Sequence, residues 1–132
     1  MRIKVLFVFL LLICAGMTFS QQRNNGPDEY IETENGLVIR PKFVGGIANF
    51  YHFVGTIYEL PKVKRLHGKV IIQFVVETDG SLADIKVLKD IGYGTGNEAI
   101  RVMKASPKWI PGTLNGKPVR VLYTLPISVD TR

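Results

Sequence analysis

Cysteine is almost missing from this chain: there is one, Cys14, inside its apolar start. A body with no second thiol cannot be stapled by a disulfide, whatever compartment it occupies, so it must stand on its hydrophobic core. Histidine is nearly as scarce. His52 and His67 are fifteen residues apart with no partner at a metal-ligand spacing, so the sequence suggests neither a metal nor any other cofactor. No stretch reaches the roughly 20 apolar residues of a membrane-crossing helix, because Thr18, Ser20 and Gln21 interrupt the run that starts at Val5. Internal repeats and low-complexity tracts are also lacking, and the chain reads as one domain.

What the start does contain is ordered. Arg2 and Lys4 precede the apolar run Val5 to Ile13, and the small residues Thr18 and Ser20 stand three and one positions before Gln21. This is the layout of a cleavable leader, with the cut expected near Ser20 and an uncleaved anchor as the alternative. Lipidation at Cys14 is disfavoured by bulky Ile13 in front of it. Loss of residues 1–20 would remove two basic residues and no acid, leaving fifteen Lys and Arg against eleven Asp and Glu, a net +4. Eleven of these cations are scattered from Lys62 to Arg120 without an aromatic-and-basic stripe. That pattern fits a solvated surface rather than a nucleic-acid interface.

Residues 21–40 are expected to be a polar tether or arm, with a short hairpin or single strand around Asn35-Gly36, and 41–132 the domain. Ile47, Phe50, Val54, Ile57 and Tyr58 fall at helical spacing, with Pro61 as the stop. Gly68 to Glu77 is an apolar run closed by Asp79-Gly80, a strong hairpin signal. Both of its faces are partly apolar, which predicts a central strand. Leu82 is out of phase with Ile85 and Val87, so a bulge is expected near Ala83-Asp84. A helix is expected from Gly96 with Asn97 as its N-cap, burying Ala99, Ile100, Val102 and Met103 and ending at Pro107. Lys108 to Gly112 and Asn115 to Pro118 then turn the chain into a last strand, Val119 to Val129. Pro126 cannot donate to a ladder, which places that strand at the border of the sheet.

From Pro41 to Ile127 the chain resembles the C-terminal domain of TonB in its Bacteroidetes form. The resemblance is carried by Pro41-Lys-Phe43 with Gly45-Gly46, Gly68-Lys-Val70 through Phe74, and Asp79-Gly80-Ser81-Leu82. It continues in Glu98 to Val102, Pro107-Lys-Trp109, Pro111-Gly112, Gly116-Lys-Pro118-Val119 and Pro126-Ile127. Val44 and Leu60 depart from the pattern, and the Pro61 to Gly68 stretch is about three residues shorter than expected. The resemblance implies an α+β fold, a three-stranded antiparallel sheet with two helices packed on one face. It also implies a periplasmic protein of energy-coupled transport that takes the N-terminal segment of an outer-membrane receptor, the TonB box, as an added strand. ExbB and ExbD are the further partners it implies. By position, the docking residues would be Val119, Arg120, Val121, Leu122, Tyr123, Thr124 and Leu125, with Leu122 or Tyr123 supplying side-chain pockets and Arg120 facing partner acids. The leader suggests an adaptor without its own anchor. The alternative is an envelope protein, TolA-like or structural, that forms homodimers through the same edge.

Other constellations are weaker. Gly92-Tyr-Gly94-Thr-Gly96 lacks the spacing and the parallel βαβ setting of a phosphate loop. Ser81, Ser106 and Ser128 have no nucleophile-elbow context, Asp79 suits its turn and Asp84 the bulge, so no enzyme is expected. Trp109, fixed between Pro107 and Pro111, reads as the packed corner before the last strand.

Overall fold

The computed structural model describes residues 30–132; the expected leader and the first part of the expected arm lie outside them. Nine elements follow in order: β1 (Tyr30–Thr33), β2 (Gly36–Ile39), α1 (Ile47–Ile57), β3 (His67–Val76), β4 (Leu82–Lys89), α2 (Thr95–Lys104), β5 (Gly112–Leu114), β6 (Lys117–Val119) and β7 (Val121–Asp130). They form two antiparallel sheets, one ordered β4-β3-β7 and one ordered β1-β2-β5-β6.

Period-two burial organises the three-stranded sheet. Val70, Ile72, Phe74 and Val76 of β3 are fully buried, and Leu125, Ile127 and Val129 of β7 lie beside them. Phe50 and Val54 from α1 and Ala99, Val102 and Met103 from α2 join the same cluster. The alternate residues Ile71, Gln73 and Val75 are only half covered. Strand β3 is central, as its two-sided apolarity predicts. The Asp79-Gly80 turn closes the β3–β4 hairpin, with the Asp79 carboxylate accepting from both the backbone N–H and the hydroxyl of Ser81. Between the pairs Gln73–Lys86 and Val75–Ala83 the β4 side carries an extra residue, and Asp84 there has φ 51°, so the expected bulge is present.

Three boundaries differ from expectation. Helix α1 stops at Ile57, where Tyr58 turns extended, well before Pro61. Its final carbonyl is capped from the other helix, because Arg101 of α2 donates to the Ile57 oxygen at 2.6 Å. Helix α2 begins at Thr95 rather than Gly96, behind Gly94 in the left-handed region, and Asn97 is not its cap. The Thr95 hydroxyl instead donates to the Gly92 oxygen at 2.7 Å. The last strand is divided: Val119 ends β6, Arg120 is a break, and β7 starts at Val121.

The four-stranded sheet is the larger departure. The three-stranded sheet read from sequence is there, but Asn115-Gly116 also folds β5 onto β6, and β2 pairs β5 through Val38–Leu114 and Ile39–Thr113. The Tyr30–Ile39 hairpin is therefore hydrogen-bonded to the domain that follows it.

Candidate functional site

The border strand β7 is built from the core outward. Pairing runs without a slip from His67–Asp130 to Val76–Val121. Beyond its end, the Thr131 N–H donates to the Leu66 oxygen at 2.9 Å. In an antiparallel ladder hydrogen-bonded and open residues alternate. Odd-numbered residues of β7 therefore bond to β3, while Leu122, Thr124, Pro126, Ser128 and Asp130 point their backbone groups away from it. Pro126, which has no N–H to lose, sits on that outward row. Among the described residues β7 pairs only with β3, so its other side is a sheet edge.

The expected docking residues divide by this alternation. Val121, Tyr123 and Leu125 turn their side chains inward, Leu125 being buried. Tyr123 is partly buried, its ring stacked on Phe74 at 5.7 Å and edge-on to Trp109 at 5.7 Å. Leu122 and Thr124 are exposed, Leu122 to 60%. Arg120 does not offer an unpaired cation, since its Nε donates to Glu77 at 2.8 Å and its guanidinium reaches Asp84 at 3.7 Å. The hydrogen bond to Glu77 holds its already high pKa higher still. Val119 belongs to the second sheet, paired with Gly112.

Trp109 packs the corner as expected, and it fixes the start of β7. It is buried, contacts Phe43, Phe50, Phe74 and Tyr123 at ring-centroid separations of 5.2–5.7 Å, and donates its indole N–H to the Ser106 hydroxyl. Four aromatic neighbours in edge-on or tilted geometry make this a rigid support for Tyr123.

One residue was not anticipated. Tyr51, on the exposed side of α1, donates its hydroxyl to the outward-facing carbonyl of Pro126 at 3.1 Å. Burial, and secondarily the neighbouring Tyr123, push its pKa above the usual tyrosine value, so it is a protonated donor at neutral pH. Four residues on from Ile47, it lies at the flank of the apolar face, and nothing in its sequence context signals the contact with Pro126. Among the described residues, no cluster of His, Cys, Asp or Glu is arranged to hold a metal, and no helix is long and apolar enough to cross a membrane. A recess of about 250 Å³ between Leu82, Ile85, Met103 and Lys108 is lined by no residue of β7.

The family model for the C-terminal region of the Gram-negative bacterial TonB protein matches residues 61–128, from just before β3 to near the end of β7. No curated protein and no solved structure matches the chain. That family is a transport and interaction domain of the cell envelope that works with outer-membrane receptors. With more than half its length matched, this chain belongs to the TonB C-terminal family and is a TonB-like protein of energy-coupled transport.

Proposed function

We propose that the outer edge of β7 receives the extended N-terminal segment of an outer-membrane receptor, the TonB box, as an added strand. The observation that carries this reading is the outward row itself: Leu122 and Thr124 each present an N–H and a C=O with no strand beside them among the described residues. Main-chain pairing works for many sequences because the groups repeat regardless of side chain. Four such bonds contribute about 2–6 kcal/mol net at roughly 0.5–1.5 kcal/mol each. Association costs at least about 4 kcal/mol. The complex is therefore weak and reversible unless exposed side chains such as Leu122 add to it. A pull along the strand loads all the bonds together, which suits a mechanical link.

Within this reading the chain acts in the periplasm as an adaptor, because residues 1–20 have the layout of a cleavable leader. Sequencing the N-terminus of the exported protein decides that point. An intact Met1 would instead make it an anchored transducer that engages ExbB and ExbD.

Backbone amide shifts on titration with receptor N-terminal peptides test the docking reading. Changes concentrated at Arg120 to Leu125 support it. No response, together with concentration-dependent dimerisation, would replace it by self-association through the same edge. Leu122→Pro removes an outward N–H and no rung to β3, so it should abolish peptide binding and leave the unfolding transition cooperative.

A further inference from the structure

The outward row is interrupted by proline twice. Asn115 and Gly116, with φ of 50° and 82°, form a two-residue hairpin turn, which makes Leu114–Lys117 the hydrogen-bonded pair beside it. Val119 bonds to Gly112 in the same phase, so Pro118 faces away from β5. The phase is kept across Arg120: odd residues bond inward in β6 and again in β7. By this parity the positions left unbonded to β5 or β3 run Pro118, Arg120, Leu122, Thr124, Pro126. Only the three between the prolines have an N–H to give.

The two ends are not equivalent. At Pro118 only the donor is missing. At Pro126 the carbonyl is occupied as well, by the Tyr51 hydroxyl at 3.1 Å. A phenol bonded to an outward carbonyl stands where the backbone of an incoming strand would lie. Tyr51 is 42% exposed and lies outside the segment that the family model matches.

Resting on the strand-addition reading above, we propose that Pro118, Pro126 and Tyr51 set the length of strand this edge accepts. The accepted core is about five residues, opposite Arg120 to Thr124. Beyond Pro126 the outward row resumes only at Ser128 and Asp130, so a longer partner strand must pass a missing donor and an occupied carbonyl to reach them and gains little affinity on the way. Edge prolines also discourage sheets from pairing with copies of themselves. Length selectivity separates a measured window from simple protection.

The test uses two synthetic peptides, alternating Thr-Val cores of five and nine residues flanked by lysines, titrated by amide shift into the wild-type chain and into a Tyr51→Phe/Pro126→Val variant. The quantity read is the affinity ratio of the long peptide over the short, in which the extra registers of a longer repeat cancel between proteins. Each bond restored at position 126 should raise that ratio in the variant by about two- to tenfold. Should the double variant fail to fold, Tyr51→Phe alone frees the carbonyl and should still raise the ratio by one such step. An identical ratio in wild type and in the folded variant overturns the length window while leaving strand addition standing. Binding of neither peptide to either protein removes strand addition, and this inference with it.

Discussion

Replacing Gly80 by Ala should destabilise the domain far more than the same change at Gly116, although both glycines have nearly the same positive φ. Their φ values are 86° and 82°. A left-handed L-residue costs about 1–2 kcal/mol, and that part is common to both. The surroundings differ. A Cβ on Gly80 would lie 1.9 Å from the Trp109 carbonyl oxygen and 3.0 Å from its carbon, whereas one on Gly116 meets nothing within 4 Å. The Gly80 turn must then move away from the Trp109 corner. That stretches the hydrogen bond from the Trp109 N–H to the Gly80 oxygen, now 2.8 Å, a loss of about 0.5–1.5 kcal/mol. It also loosens the aromatic contacts of Trp109, worth about 0.5–1.5 kcal/mol for each pair weakened. The expected penalties are about 1–2 kcal/mol for Gly116→Ala and about 2–5 kcal/mol for Gly80→Ala, against a typical total stability of about 5–15 kcal/mol. Urea unfolding followed by Trp109 fluorescence and by far-ultraviolet circular dichroism measures both. Equal penalties would refute the claim that the β3–β4 turn is locked against the Trp109 corner.

Phe74→Ala should remove about 3–5 kcal/mol, since the ring is fully buried between Trp109 and Tyr123, and a thermal melt would show it. Burial, with Glu98 and Asp90 nearby, pushes the Tyr58 hydroxyl from 10.0 to about 12. Its folded pKa thus exceeds its unfolded one, so its stabilisation is complete below about pH 10 and is lost as pH rises towards 12. Tyr58→Phe should flatten denaturant midpoints over that range. Glu98 has the opposite sign: the hydrogen bond from Arg101 lowers its pKa, so its contribution is present above about pH 4.5 and fades in acid. Glu98→Gln should remove that part of the acid sensitivity.

The sheet of β3, β4 and β7 was legible because its inner row repeats every second residue and its first turn is Asp79-Gly80. The Asp84 bulge was legible from a single phase error between Leu82 and Ile85. Helix ends were less so: α1 is capped by Arg101, which is distant in sequence, and α2 starts on a left-handed Gly94 inside a run of glycines that offers several equivalent starts. The second sheet escaped notice because β5 and β6 have three residues each, too short for periodicity, although Asn115-Gly116 carried the turn signal. The pairing of β5 with β2 is a tertiary contact that no local pattern encodes. At the candidate edge, Pro126 announced a border strand. Which residues face outward required the register, and Tyr51 could be found only from coordinates. The proposed adaptor role turns on residues 1–20, outside the described part of the chain.

Amide hydrogen exchange along β7 tests the central claim most directly. In the free protein the N–H groups of Val121, Tyr123, Leu125, Ile127 and Val129 should exchange slowly, and those of Leu122 and Thr124 quickly. Adding a receptor N-terminal peptide should slow Leu122 and Thr124 selectively. If those two amides are already protected in the free chain, or stay fast with peptide bound elsewhere, the edge is not the docking surface.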